Sequence, residues 1–101
     1  GEHVYPSEVE KVIGAHPAVR DVAVVGLPHD KWGEAVTAVI VPRENTKVTK
    51  EDILDFCKDK IATFKKPKEV IFVEDSFIPR TTTGKIVHCH LRSRLVDSKK
   101  T

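Results

Sequence analysis

The segment of greatest chemical interest is a Gly84-Lys85 pair that follows three threonines at positions 81–83. A glycine beside a lysine is typical of phosphate-binding loops, so the pattern G-x-x-x-x-G-K-[ST] is the first to test. It fails, because the pattern requires glycine where this chain has Pro79 and Ser or Thr where it has Ile86. What remains is a lysine on a polar loop that can reach an oxyanion or phosphate, beside a glycine that permits close approach. An ordinary surface lysine is the alternative.

Histidine and cysteine form no metal-binding or nucleophile pattern. His88 and His90 lie two residues apart in a segment of helical pattern, so their side chains point about 200° apart and cannot share an ion. We therefore predict no metal site. Cys57 and Cys89 lack a CxxC arrangement and fall in apolar helical patterns, which predicts two small core residues in a reducing compartment rather than a disulfide. The chain contains no complete catalytic centre.

Two of the six aromatic residues lie in highly charged surroundings: Trp32 follows Lys31, and Phe64 precedes Lys65. Such a ring suits an anionic nucleotide, because base stacking contributes roughly 1–3 kcal/mol and ammonium groups contact the phosphates. The alternative is that each ring covers the edge of the core. Single-stranded nucleic acid would use the same groups, but two rings and a formal net charge of +2 argue against it.

The composition indicates a small globular domain. The 101 residues are 40% apolar and 32% charged, and no apolar run is long enough to span a membrane. The chain has no methionine and no secretory leader, so we expect a piece of a longer cytoplasmic protein that begins at an artificial cut before Gly1.

The charge is unevenly distributed. Residues 1–50 carry 6 basic against 7 acidic side chains, and residues 51–101 carry 11 against 8. This excess indicates either a solvated surface or an anionic ligand. It consists of Lys65, Lys66, Lys68, Arg80, Lys85, Arg92 and Arg94.

The first half of the chain predicts a helix followed by two strands. Ser7 and Glu10 form a capping box before an apolar stripe of helical spacing. Residues 19–27 and 35–41 are rich in β-branched side chains and predict two strands buried on most of both faces. The polar segment 28–34 between them is too long for a tight hairpin turn.

The second half predicts a helix, a strand and a last helix. Thr49 begins the first of these helices, with acidic residues in its first turn. Residues 70–73 form the third strand, and the loop 74–84 is long for so small a domain. The last helix carries apolar residues at Val87, Leu91 and Leu95. The order αββαβα predicts an α+β two-layer domain, in which helices cover a small, mainly antiparallel three-stranded sheet.

Several ordered segments resemble the motifs of the adenylate-forming enzymes, which include acyl- and aryl-CoA synthetases, luciferases and peptide-synthetase adenylation domains. Residues 79–86, PRTTTGKI, resemble the last core motif of this family. Residues 1–10 resemble the segment that opens its mobile C-terminal domain. Residues 24–28, 32–34 and 64–67 resemble the middle of that domain. The resemblance covers essentially the whole chain.

The resemblance implies that residues 1–101 are the C-terminal lid domain of an ATP-dependent acid–thiol ligase. Such an enzyme joins a carboxylic acid to the α-phosphate of ATP, releases pyrophosphate, and lets coenzyme A displace AMP. The N-terminal domain of the same polypeptide, absent here, then holds ATP, most of the Mg²⁺ ligands and the acyl group. The Tyr5-Pro6-Ser7 sequence resembles the corresponding segment of acyl- or aryl-CoA ligases. We expect a fatty acid substrate, with an aryl acid as second choice, and an inactive isolated domain.

The resemblance also implies roles for residues of the two half-reactions. Lys85 matches the adenylation lysine, the catalytic cation that offsets repulsion between the carboxylate and the α-phosphate. Gly84 precedes it in the same cofactor-binding loop. Gly1 and Glu2 begin the loop that lines the pantetheine tunnel in the second half-reaction.

The contacts to the nucleotide end of coenzyme A are implied in the same way. Trp32 and Phe64 resemble the rings that hold its adenine. Lys66 and Lys68 then lie near its phosphates, which gives the basic second half of the chain an anionic ligand. Apart from the resemblance, the same rings and lysines would suit a free-standing nucleotide or nucleic-acid binding module, which is the alternative function.

Overall fold

The computed structural model describes residues 6–29, 33–58, 60 and 67–99. The αββαβα order is confirmed, with a short 3₁₀ turn before the last helix. The elements are α1 (Pro6–Gly14), β1 (Val19–His29), β2 (Gly33–Pro42), α2 (Lys50–Lys58), β3 (Glu69–Phe72), the 3₁₀ turn (Asp75–Phe77) and α3 (His88–Lys99). No helix among the described residues is both long and apolar enough to cross a membrane.

Strands β1 and β2 form an antiparallel hairpin that extends further than the sequence predicts. Pro28 pairs with Glu34 and His29 with Gly33, so three residues, 30–32, separate the last pair. The prediction that segment 28–34 is too long for a tight hairpin is therefore wrong. Gly33 has a φ of +73°, a backbone conformation that glycine adopts without steric cost as the chain enters β2.

The third strand lies on the other side of β2 and runs parallel to it. The sheet order is β1-β2-β3, and Ala38 pairs with Val70 and Ile40 with Phe72. A parallel neighbour requires a crossover connection, which α2 supplies. The sheet is thus mixed, with the longer ladder antiparallel, and the predicted α+β class is confirmed.

Helices cover both faces of this sheet, because successive strand residues point to opposite sides. One face packs against α1 and α2, and its buried cluster is Val9, Ile13, Val19, Val22, Val24, Ala38, Ile40, Ile53 and Cys57. The other face packs against α3 and the segment after β3, and its cluster is Ala23, Val25, Leu27, Val39, Val41, Ile78, Leu91 and Leu95. The second helical face adds a layer to the predicted two-layer arrangement.

Glu10 does not act in the predicted capping box. Helix α1 begins at Pro6, so Ser7 lies inside its first turn rather than before it. The Glu10 carboxylate instead accepts the backbone N–H of Val24 at 3.2 Å, and its Oε2 lies 2.9 Å from Nε2 of His88. This side chain therefore joins α1 to β1 and to the start of α3.

The outer edge of β1 is covered by side chains. Besides Glu10, the Asp21 carboxylate accepts the N–H of Val22 at 2.9 Å, and Arg92 Nε donates to the carbonyl of Gly26 at 2.7 Å. Backbone groups at a sheet edge otherwise offer a template for another strand. These bonds protect the edge and hold α1 and α3 against the sheet.

Helix α2 begins where the sequence predicts. The Asp52 N–H donates to Thr49 Oγ1 at 3.2 Å, and the Thr49 N–H donates to Asp52 Oδ2 at 3.0 Å. This reciprocal pair satisfies two backbone donors that a helix N-terminus leaves without partners. The local sequence therefore fixes the start of this helix.

The two cysteines differ in burial. Cys57 is fully buried on α2, as predicted. Cys89 is exposed, so the prediction that it is a core residue is wrong. Leu91 and Leu95 define the buried stripe of α3, and a residue two positions before Leu91 points away from that stripe. The two cysteines are not joined in a disulfide.

Candidate active-site hairpin

Residues 79–87 form a small hairpin that presents Lys85 near its tip. Arg80 and Ile86 form an isolated antiparallel bridge. The Thr81 N–H donates to the Lys85 carbonyl at 2.8 Å, and the Gly84 N–H donates to the Thr81 carbonyl at 2.9 Å. These bonds are those of a three-residue hairpin loop whose last residue is left-handed. Much of segment 74–84, which the sequence predicts as one long loop, therefore consists of the 3₁₀ turn and this hairpin.

Gly84 occupies the left-handed position, with a φ of +89°. A Cβ built on it would meet no atom within 4 Å. The glycine is therefore required by the backbone dihedral angle rather than by lack of space. Thr81 completes the turn: its Oγ1 accepts the Lys85 N–H at 3.1 Å and lies 2.9 Å from Thr83 Oγ1.

Gly84→Ala should destabilise the chain by about 1–2 kcal/mol, the cost of a left-handed residue that carries a Cβ. The measurement is the urea midpoint of the 101-residue chain. Gly14→Ala is the matched control: its Cβ would meet Val22 Cγ1 at an ordinary 3.7 Å, and Gly14 has no positive φ, so the added Cβ carries no such cost. Equal midpoints for the two variants would contradict the role assigned to the Gly84 dihedral angle.

The Lys85 side chain is exposed. Within the described ranges, no residue accepts a hydrogen bond from its ammonium group or forms an ion pair with it. Its backbone is fixed on both sides, by the Thr81 hydroxyl at its N–H and by the Thr81 N–H at its carbonyl. The hairpin therefore offers a positive charge on a flexible stem from a well-ordered base.

The structure places Lys68 and Lys85 at different ends of the sheet. The hairpin lies near Asp21, at the end where β1 begins. Lys68 is exposed and directly precedes β3, and its N–H donates to the Val36 carbonyl at 2.8 Å. Val36 pairs with Gly26, toward the end of β1. Asp21 and Gly26 lie five residues apart, which is about 16 Å along the strand at 3.3 Å per residue.

The other residues assigned to cofactor binding lie outside the described part of the chain. They are Gly1, Glu2, Trp32, Phe64 and Lys66. Among the described residues, Lys68 and the Lys85 hairpin thus lie toward opposite ends of the sheet.

Arg80 holds the hairpin to the rest of the domain, a role that the sequence did not indicate. Its Nη2 lies 2.7 Å from Asp21 Oδ2 and 2.7 Å from Asp75 Oδ1. The hydrogen bond to Asp21, and then the contacts with Asp75, raise the pKa of Arg80 above its ordinary value despite partial desolvation. The guanidinium therefore stays charged. Asp21 is 59 residues away in sequence, and no local pattern links the two.

The other two arginines of the basic excess also bind backbone carbonyls. Arg92 donates to Gly26, and Arg94 Nη1 donates to the Phe77 carbonyl at 2.7 Å. The Arg94 guanidinium also lies 5.7 Å from the centroid of the Phe77 ring. Binding of the expected anionic ligand would therefore fall to the lysines, because all three arginines make contacts within the domain.

The histidines of α3 are not arranged around an ion. His88 contacts Glu10, and His90 is exposed on the same helix. Across residues 6–29, 33–58, 60 and 67–99, no group of three or more His, Cys, Asp or Glu side chains is placed to hold a metal ion. The candidate site therefore consists of Lys85 and the hydrogen-bonded hairpin that carries it.

Known proteins are similar to this chain in sequence and in fold. A family model described as the AMP-binding enzyme C-terminal domain matches residues 8–85. A long-chain-fatty-acid–CoA ligase of Mycobacterium tuberculosis is 47% identical over 94 residues, which are 93% of this chain and 18% of that protein. A 2-succinylbenzoate–CoA ligase of Bacillus cereus is 41% identical over 92 residues, 91% of this chain and 18% of the relative.

Solved structures agree with the sequence relatives. A fatty acyl CoA synthetase of Mycobacterium tuberculosis superposes with a TM-score of 0.88 at 45% identity, over 97% of this chain and 19% of that one. ATP-bound MatB from Rhodopseudomonas palustris gives a TM-score of 0.87 at 41% identity, with coverage of 97% and 19%. The chain thus spans about a fifth of the length of the proteins it matches.

Proposed function

The chain belongs to the family of AMP-binding enzyme C-terminal domains, and we propose that it is the mobile C-terminal domain of an ATP-dependent acid–thiol ligase. In the whole enzyme a carboxylate attacks the α-phosphate of ATP, giving an acyl-adenylate and pyrophosphate. Coenzyme A then displaces AMP to give the thioester. The N-terminal domain of the same polypeptide supplies the ATP and acyl pockets and the Mg²⁺ ligands. The names of the relatives, which are CoA ligases, support this proposal.

The observation that carries the proposal is the exposed ammonium group of Lys85 on an ordered hairpin. In the assembled enzyme this group lies between the substrate carboxylate and the α-phosphate, where it offsets their repulsion. It also stabilises the charge that develops on the phosphate oxygens as the acyl–phosphate bond forms. A lysine suits this position because it is a compact charge on a flexible stem.

The two ends of the sheet suit the two half-reactions. The Lys85 hairpin lies toward one end of the sheet, and Lys68 lies toward the other. Asp21, beside the hairpin, and Gly26, the β1 partner of Val36, lie five residues apart, about 16 Å along the strand. From the resemblance to the family, we propose that the domain rotates between two poses, presenting Lys85 for adenylation and then the end that carries Lys68 for coenzyme A.

Trp32→Ala should raise the KM for coenzyme A by about 5- to 150-fold, which corresponds to the roughly 1–3 kcal/mol of stacking on adenine. Acid-dependent ATP–pyrophosphate exchange should be unaltered, because coenzyme A enters only the second step. Steady-state kinetics of the full-length enzyme measures both. Phe72→Ala, which removes an exposed ring from β3, is the matched control. An unaltered KM would contradict the stacking role of Trp32.

The remaining coenzyme A contacts belong to the same proposal. Phe64 faces the adenine with Trp32, Lys66 and Lys68 lie near the phosphates, and Gly1 and Glu2 begin the loop that lines the pantetheine tunnel. The exposed position of Lys68 supports its part. A cytoplasmic location accords with two cysteines that form no disulfide, since disulfides are rare in reducing compartments.

A fatty acid is the proposed substrate, because a relative that is 47% identical is named a long-chain-fatty-acid–CoA ligase. An aryl acid is the second candidate, favoured by the succinylbenzoate–CoA ligase at 41% identity. The test is ATP–pyrophosphate exchange by the full-length protein with fatty acids of several lengths and with aryl acids, followed by coenzyme A consumption. Exchange with none of these acids would contradict the proposed function.

A further inference from the structure

We propose that Arg80 is a positioning residue for Lys85. Held between two carboxylates, its guanidinium fixes the hairpin in the orientation that adenylation requires. The inference rests on the proposed function of Lys85. It adds a group that does not contact the reacting atoms and that acts through the hairpin backbone.

The contacts of Arg80 connect the fixed part of the domain to the peptide that precedes Lys85. Its Nη2 lies 2.7 Å from Asp21 Oδ2 and from Asp75 Oδ1. Its Nη1 donates to the Gly84 carbonyl at 3.4 Å, a long hydrogen bond. That carbonyl belongs to the peptide whose nitrogen is the Lys85 N–H. One side chain thus bonds both to two carboxylates outside the hairpin and to its final turn.

The Asp21 carboxylate has a second bond, and the turn that carries Asp75 is itself held in place. Asp21 lies in β1, and its second oxygen accepts the Val22 N–H at 2.9 Å. Asp75 begins the 3₁₀ turn, which Arg94 of α3 holds through the Phe77 carbonyl at 2.7 Å. The next residue, at position 78, is buried in the core beneath α3. Arg80 therefore connects the hairpin to the sheet and to the last helix.

Besides Arg80, the hairpin is held at its base by Ile86, which is half-buried and packs against the cluster beneath α3. Residues 80–85 are exposed, so little apolar burial opposes a tilt of the tip. A misplacement of about 1 Å at a reacting group can lower a rate by about 10²-fold. The planar fork of arginine can bond two carboxylates and a carbonyl at once, and an ammonium group cannot reproduce that geometry.

The test is Arg80→Gln in the full-length enzyme. We expect the kcat of ATP–pyrophosphate exchange to fall about 10-fold or more, because Lys85 is less well placed. The KM for ATP should change by less than about 2-fold, because the ATP pocket is untouched, and thioester formation from supplied acyl-adenylate should be retained. Arg80→Lys should fall between wild type and Arg80→Gln. Equal loss of both half-reactions would overturn the proposal, because it would indicate general damage to the domain.

Arg92→Gln is the matched control. Like Arg80, Arg92 donates a hydrogen bond to a backbone carbonyl, here at 2.7 Å, but that carbonyl lies in β1 and not in the hairpin. We expect its exchange rate to stay within about 2-fold of wild type, since the hairpin keeps its contacts. A loss equal to that of Arg80→Gln would overturn the specific role of Arg80.

A second readout does not depend on activity. Backbone hydrogen exchange in the full-length protein, followed on the peptide that spans residues 79–87, should be faster in Arg80→Gln than in wild type. Unchanged exchange there would overturn the inference even if the proposed function holds. If Lys85→Ala leaves ATP–pyrophosphate exchange unaltered while Arg80→Gln still loosens the hairpin, the proposed function fails and the structural role of Arg80 stands. The inference about adenylation would then be overturned together with the function.

Discussion

Lys85→Ala in the full-length protein should lower the rate of ATP–pyrophosphate exchange by about 10²–10³-fold. Removal of one group that stabilises developing charge in a dry site commonly has an effect of this size. The ammonium group of Lys85 is exposed, and its backbone is held by two bonds to Thr81. Little else in the domain changes when the side chain is truncated, so the loss reports on chemistry and not on folding.

The second half-reaction distinguishes a loss of the chemical role of Lys85 from a loss of folding. With supplied acyl-adenylate and coenzyme A, Lys85→Ala should still form the thioester, because the lysine acts before that step. Lys47→Ala, which truncates an exposed lysine in the connection between β2 and α2, is the matched control and should exchange at the wild-type rate. A wild-type rate for Lys85→Ala would show that the role assigned to this residue is wrong.

Leu91→Ala should lower the free energy of unfolding by about 2–5 kcal/mol, the range for truncating a buried leucine. Leu91 is fully buried and lies in the cluster that joins α3 to β1, β2 and Ile78. The cavity would open in the cluster that also contains Ile78 and against which Ile86 of the hairpin packs. Urea unfolding of the 101-residue chain gives the free energy.

Ser93→Ala provides the comparison on the same helix. Ser93 is exposed, so its loss removes no core contact, and the better helix propensity of alanine makes the change neutral or slightly favourable, within about 0.5 kcal/mol. If the two variants unfolded at the same urea concentration, α3 would not be held by its buried stripe. The packing of the hairpin against this face would then need another explanation.

Local patterns in the sequence are sufficient for most of the elements. Thr49 and Asp52 lie three residues apart and satisfy each other at the start of α2, so the helix start depends on neighbours in the chain. The β-branched runs predict β1 and β2 for the same reason, since propensity and alternation are properties of a few adjacent residues. The resemblance of residues 79–86 to a family motif makes Lys85 the candidate catalytic group, also without knowledge of the fold.

The capping box at Ser7 and Glu10 shows where such reasoning fails. The spacing suits a cap, but the Glu10 carboxylate finds partners on β1 and α3 instead. One of these partners, His88, lies 78 residues away in sequence. Cys89 fails for a different reason: it lies two positions before Leu91, and helical spacing alone turns it away from the stripe that Leu91 and Leu95 bury.

By itself, the sequence determines the elements, their order, the family resemblance and the lysine that can act on an anion. The tertiary structure alone decides that β3 lies parallel to β2, that helices cover both faces, and that Asp21 and Asp75 meet at Arg80. The physical reason is that charge pairs and packed faces depend on distances in space between residues far apart in the chain, whereas caps, turns and strand propensities depend on neighbours within a few residues.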